Sequence, residues 1–220
     1  MGFGALRTSS TITNISNNME VLVIVANTPQ LALSFAYVLI NRILSGMASS
    51  REWTSFAHTR TGLRVTRAVG EQKSTYYLQL PYMLAVPQIV TSISVHYIIS
   101  QSVFPSRIKI YDYIGQAQVF EEYRALGFSS IAIIAGIGLW VFIIVALLAL
   151  GLVKNKRGIP QAGLSSAAIS AACHPPLRDR NISLKQVMWG QTWTNERTGR
   201  GHCSFSSTEV TAPTEGTMYQ

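Results

Sequence analysis

The stretch "FSSIAIIAGIGLWVFIIVALLALGLV", Phe128 to Val153, decides the fold. It holds no charged residue and is followed at once by Lys154, Lys156 and Arg157. A helix needs about 20 apolar residues to cross the hydrocarbon layer of a bilayer. This run is longer than that and ends in a basic stop, which predicts a transmembrane helix over 128–153. Two weaker blocks precede it. "EVLVIVANTPQLALSFAYVLINR" (Glu20 to Arg42) is charged only at its ends, and "LPYMLAVPQIVTSISVHYIISQSVF" (Leu80 to Phe104) has no charge. They predict spans over 19–43 and 80–102. Pro29 and Pro87 lie inside them, where kinks are expected; membrane helices tolerate proline because their neighbours re-satisfy the freed backbone groups.

The composition agrees with spans and loops. Of 220 residues, 48% are hydrophobic and 13% charged, about half the charged share of a soluble domain. One Lys or Arg precedes the first span, six lie between the first and second, three between the second and third, and eight follow. The positive-inside rule then predicts an extracytosolic segment 1–18, a basic cytosolic loop 44–79, an outer loop 103–127 and a cytosolic tail 154–220. The net charge of +8 reads as a topology signal and an attraction to anionic lipid head groups. No nucleic acid is needed to explain it. Asn14-Ile15-Ser16 is a glycosylation sequon on the predicted outer side, and Asn181-Ile182-Ser183 falls in the predicted cytosolic tail.

Within the loops, Tyr76, Tyr77 and Tyr82 read as an interfacial aromatic belt. The outer loop mixes strand-like alternation in "RIKIYDY" with Val119, Phe120, Tyr123 and Leu126 at helical spacing, which predicts a short surface helix. "GLSSAAISAAC" is too short to span, and "EVTAPTEGTMYQ" has little with which to build a core. The expected class is therefore all-α membrane, with three transmembrane helices and a partly disordered cytosolic tail.

Polar residues recur inside two spans. Asn27, Gln30, Ser34, Tyr37 and Asn41 follow a 3,4,3,4 spacing, the seam of a helix that packs on a partner. Gln88, Ser92, His96 and Ser100 recur every four residues as a second stripe. Apolar contact gives no net drive between helices already in lipid, so interhelical hydrogen bonds of about 0.6 to 2 kcal/mol and small residues supply association. Ala132 and Gly136 in the third span form such a small-residue face. The alternative use of the stripes is a polar pathway with His96 as its titratable member. Cys173, His174, His202 and Cys203 are zinc-binding types, but each pair is adjacent in sequence, unlike finger spacing. No GxSxG, HExxH or Walker loop occurs, so neither enzymatic activity nor a cofactor is expected.

Taken in order, "ANTPQLALSFAYVLINRILSGM", "REWTSFAHTRTGLRV", "STYYLQLPY", "HYIISQSVF", "AGLSSAAISAACHPP" and "GHCSFSSTEV" resemble the C-terminal portion of a fungal family of uncharacterised multi-pass membrane proteins defined by a domain of unknown function. The resemblance runs from about Ala26 to the end. It implies membrane residence and no activity, and it supplies no functional residues. Members of that family are longer, so the expectation is a truncated member or a partial gene model, which would account for polar seams whose partners are missing. The expected function is a structural or interaction component of a membrane assembly, with a transporter or channel subunit as the alternative. The expected partners are the lipid bilayer and other transmembrane helices, from a second copy or a missing upstream part.

Overall fold

The computed structural model describes residues 10–13, 15–111, 119–161, 164–197, 199–214 and 216–219. In chain order these form β1 (Thr11–Ile12), α1 (Met19–Ser55), β2 (Thr61–Gly62), β3 (Arg64–Val65), β4 (Lys73–Ser74), α2 (Tyr82–Ser102), β5 (Val103–Tyr111), β6 (Val119–Phe128), α3 (Ser130–Leu152), α4 (Ser166–Ala172), β7 (Gln186–Thr194) and β8 (Gly201–Ser206). The all-α expectation is overturned. Among the described residues four helices accompany eight strands in three sheets, so the class is mixed α and β. The α1, α2 and α3 helices are long and apolar enough to cross a membrane. The chain divides into two compact units, Met1–Arg42 with Ala85–Leu152 and Ile43–Leu84 with Val153–Gln220.

In the first unit, α1 begins where Asn18 Oδ1 accepts the Glu20 backbone N–H at 2.9 Å, and the Glu20 carboxylate complements the helix dipole. Both prolines lie inside continuous helix. On α3, Ile134, Phe142 and Leu148 remain 69%, 66% and 64% exposed, a surface suited to hydrocarbon. The expected surface helix in the outer loop is a strand instead. β6 pairs antiparallel with β5 from Val103↔Phe128 to Tyr111↔Val119, with a bulge after Ile110. That ladder satisfies the backbone of both strands, and cross-strand pairing overrides a short run of helical spacing. β1 adds to the other edge through Thr11↔Gly127 and Ile12↔Leu126. Leu22, Ala26 and Leu126 form the buried cluster beneath, with Met19 and Val103 against it.

The second unit draws on two segments far apart in sequence. β2 pairs antiparallel with β7 (Thr61↔Val187), and β7 with β8 from Met188↔Ser206 to Thr194↔Gly201. Phe56, Ile159, Val187, Trp189, Cys203 and Phe205 form its core. Phe205 is the hub: Trp53, Phe56 and Trp189 meet its ring edge-on at 5.5, 5.3 and 5.4 Å, a favoured aromatic geometry. Over its described residues the tail thus carries strands and a core. Even near its end Tyr219 packs on the core and its hydroxyl accepts the Thr214 N–H at 2.7 Å. α1 runs on past residue 43 to Ser55 because its last turns belong to this unit. Trp53 Nε1 donates to the Pro160 carbonyl at 2.8 Å, and Asn155 Nδ2 to Ser50 Oγ at 2.7 Å.

The small-residue face of α3 has a use. Ala132 and Gly136 are its buried positions, and a Cβ on Gly136 would lie 3.4 Å from Ile98 Cγ2 of α2, whereas one on Gly138 would meet nothing within 4 Å. Gly136→Leu is therefore expected to destabilise the protein by about 1–3 kcal/mol through overpacking, and Gly138→Leu by no more than about 0.5 kcal/mol. Thermal unfolding of both variants in one detergent checks this; equal losses would refute the packing.

Candidate functional site

The two polar stripes fare differently. On α1 the buried positions are Leu22, Ala26, Leu33, Leu44 and Thr54. Gln30, Tyr37 and Asn41 flank that face half-buried, while Asn27 and Ser34 are exposed. Asn27 Nδ2 donates to the Val23 carbonyl at 2.8 Å and Ser34 Oγ to that of Gln30 at 3.1 Å. Both donors are taken up by their own helix. On α2, Gln88, Ser92, His96 and Ser100 are all half-buried. Ser100 donates to the Tyr97 carbonyl at 2.7 Å. Asn41 Oδ1 and Gln88 Nε2 are buried atoms without a hydrogen-bond partner among the described residues. Asn14 lies outside the described residues.

The four cysteine and histidine candidates are not brought to one point. Neighbours on a strand face opposite ways, so β8 sends Cys203 into the core while His202 stacks on Trp193 at 5.4 Å. Burial pushes the Cys203 thiol up to about 11, which keeps it protonated and unsuited to metal or nucleophilic chemistry at neutral pH. Cys173, at the end of α4, is exposed, and both cysteines are free. His174 Nδ1 lies 2.6 Å from the Ser170 carbonyl, and His202 Nε2 donates to the His174 carbonyl at 3.2 Å. Among the described residues no group of three or more His, Cys, Asp or Glu is placed to hold a metal ion.

Sequence reasoning missed two features of the second unit. One is an open polar groove of about 510 Å³ lined by Arg60, Gln191, Trp193, Thr194, Glu209 and Thr211 among others. Its amide, hydroxyls and carboxylate can hydrogen-bond a polar ligand. The Arg60 guanidinium, however, is already tied to the Ser207 and Thr208 carbonyls. The other is a knot around Asp179, whose side chain is only 3% exposed. Its carboxylate accepts the Ser207 backbone N–H at 2.6 Å, the Ser206 hydroxyl at 3.1 Å and the Ser207 hydroxyl, and Lys185 Nζ stands at 3.4 Å. Neither carries a sequence signal, since the groove joins Arg60 to residues past 190 and the knot joins Asp179 to serines 27 and 28 residues on.

Electrostatically the two units differ. The second holds 13 Lys and Arg against 6 Asp and Glu, a formal +7 of the chain's +8. Arg64 is engaged on several sides. Its Nε donates to both Glu52 carboxylate oxygens at 2.9 and 3.1 Å, and its guanidinium lies 3.8 Å over the Tyr76 ring, a cation–π contact. Tyr76 in turn meets Tyr82 edge-on at 6.3 Å.

A family model described as "Domain of unknown function (DUF8419)" matches residues 1–219. No curated protein and no solved structure matches the chain.

Burial alone would raise the Asp179 pKa, but the bonds from Ser207, Ser206 and Lys185 outweigh it and hold the carboxyl below its ordinary value. A depressed carboxyl pKa adds stability above the unfolded value, and that stability is lost as pH falls through the folded one. Asp179→Asn is expected to cost about 1–3 kcal/mol at pH 7. The gap from wild type should close as pH drops below about 4. Chemical denaturation across that range tests it; a gap independent of pH would show that the charge has no part in the knot.

Proposed function

The chain belongs to the family of the domain of unknown function DUF8419, and we propose that it is a three-span integral membrane protein acting as a structural or interaction component of a membrane assembly. One observation carries this reading. The segment before α1 pairs with the loop between α2 and α3, through β1 and β6, and the segment after α1 pairs with the tail, through β2 and β7. A chain that crosses a bilayer three times puts its first and third extramembrane segments on one side and its second and fourth on the other. The pairing follows that alternation. If any one of the three helices did not cross, at least one of these sheets would have to join segments on opposite sides.

The charge distribution orients the reading. The +7 unit belongs on the cytosolic side, by the same bias of Lys and Arg that governs short loops. On that side it forms a platform built from the first loop and the tail together, an arrangement suited to holding partners at the membrane. The same proposal carries the multi-pass, fungal character that the resembling motifs imply.

A second reading, a transporter or channel subunit, is favoured by Asn41 Oδ1 and Gln88 Nε2. Buried polar atoms without partners are costly in hydrocarbon and are relieved by water or a polar solute. Under that reading wild-type protein in sealed vesicles conducts protons or small ions and the Asn41→Leu, Gln88→Leu double variant does not. A wild type that conducts nothing removes it.

The two cysteines report topology without added labels. Cys173 is exposed and Cys203 buried with a raised pKa. A membrane-impermeant maleimide is therefore expected to leave intact cells unlabelled and to modify Cys173 alone once the membrane is permeabilised. Labelling of Cys173 from outside intact cells would reverse the orientation.

A further inference from the structure

The segment Arg178-Asp179-Arg180-Asn181-Ile182-Ser183-Leu184 has a use that neither fold nor family accounts for. Arg178 and Arg180 are exposed, and no hydrogen bond or ion pair engages either guanidinium among the described residues. The acidic residue between them is turned inward, held in its knot of serines, and does not neutralise them. Ser183 is exposed with its hydroxyl unpartnered, and Leu184, directly after it, is 39% exposed. Two outward arginines five and three residues before a free hydroxyl, with an apolar residue after it, match an enzyme cleft with two acidic subsites and an apolar one. Charge patterns of this kind select kinase substrates.

We propose that Ser183 is the phosphoacceptor of an arginine-directed serine kinase, and that its modification releases the first loop from the tail. This rests on the cytosolic placement of the tail proposed above. In the reaction the Ser183 Oγ attacks the terminal phosphorus of a nucleoside triphosphate bound to the kinase. The new O–P bond forms as the bond to the β,γ-bridging oxygen breaks. Nucleoside diphosphate leaves, and the hydroxyl proton passes to the kinase's base. The local backbone allows the segment to be drawn out into an enzyme cleft. Ser183 lies in a single 3-10 turn, Ile182–Leu184, that has no side-chain cap and follows Asn181 in the left-handed conformation at φ 57°. Drawing it out unwinds only this one turn and breaks the bonds to the first loop described next.

The release follows from what surrounds Ser183. Its carbonyl accepts Gln72 Nε2 at 2.7 Å, the Leu184 carbonyl accepts the Glu71 N–H at 2.9 Å, and Glu71 Oε2 accepts the Gln186 N–H at 3.0 Å. These bonds latch the first loop onto the tail. Phosphate adds a charge of about −1.5 to −2 at the junction that already holds the Glu71 carboxylate. The two anions repel, and the latch loosens.

The test uses the purified full chain in detergent with an arginine-directed kinase and adenosine triphosphate, read by peptide mass. Phosphate is expected on Ser183, absent from Ser183→Ala and reduced about tenfold or more in Arg180→Ala, as fits the loss of a charged contact. Amide exchange at Glu71 and Gln186 is expected to rise several-fold in the phosphorylated chain. No incorporation at Ser183 overturns the proposal whatever the topology, and unchanged exchange at full incorporation overturns the release. Asn181-Ile182-Ser183 is also a sequon, so protein made in eukaryotic cells separates the two readings. A glycan on Asn181 would place the tail on the lumenal side and overturn both; an unmodified Asn181 with an inert Ser183 would overturn the kinase site alone.

Discussion

Trp189 donates its backbone N–H to the Phe56 carbonyl at 2.8 Å, and that one bond marks the constraint on which the second unit depends. Neither the first loop nor the tail can bury an aromatic cluster alone. Trp53 and Phe56 come from the end of α1, and Trp189 and Phe205 from the tail. The cluster exists only where the two meet, so β2 and β7 must pair and α1 must run on to Ser55 to deliver its rings. Gly62 is part of the same fit, because a Cβ there would fall 1.9 Å from the Glu71 carbonyl oxygen. Any side chain at that position pushes the first loop out of its path across the sheet.

Once two loops are joined into one folded unit, the spans between them lose freedom. On the proposed topology the first and third crossings end on the side where that unit sits, and the second begins there. On the same topology the sheet of β1, β6 and β5 sets the complementary condition. Each of the two sheets is too small to form a stable domain alone, and each joins segments that lie on either side of a long apolar helix in the sequence. Backbone economy points the same way. Strands in lipid would leave unpaired edges, which helices do not, so on the proposed topology the sheets fall where water can satisfy their edges.

What could be read from the sequence divides along the same physical line. The three long helices were legible because uncharged runs of span length have few other uses, and their described bounds lie within a few residues of those expected except at the end of α1. The strands were not. The pairing of Thr61 with Val187 crosses most of the chain, and local pattern carries no signal for it. β8, "GHCSFS", alternates Cys203 and Phe205 with Ser204 and Ser206, and all four are buried because both faces are covered. Ser204 donates to the Ala171 carbonyl at 2.8 Å and Ser206 reaches Asp179. A largely buried strand with serine at two of its six positions reads locally as a polar loop. The aromatic cluster of the tail could not be read from the tail itself, because two of its four rings, Trp53 and Phe56, come from the end of α1 and the first loop.

The polar stripes show how far helical spacing can be pressed. A 3,4 repeat selects residues that share a face, but a polar side chain on that face has two ways to be satisfied. Asn27 and Ser34 take the carbonyl four residues back, a bond that helix geometry always offers. Such residues announce themselves in sequence as a seam while their donors are bonded within their own helix. Asn41 and Gln88 keep a buried polar atom without that recourse. The distinction is invisible in spacing, since Asn27 and Asn41 are the same residue type in the same repeat. Two things separate them: Asn27 is exposed and its Nδ2 donor turns back on its own helix, whereas the unpaired atom of half-buried Asn41 is its Oδ1 acceptor, which no helix carbonyl can satisfy. The question of function inside the membrane therefore narrows from nine stripe residues to the few whose polar atoms the helices bury and do not satisfy.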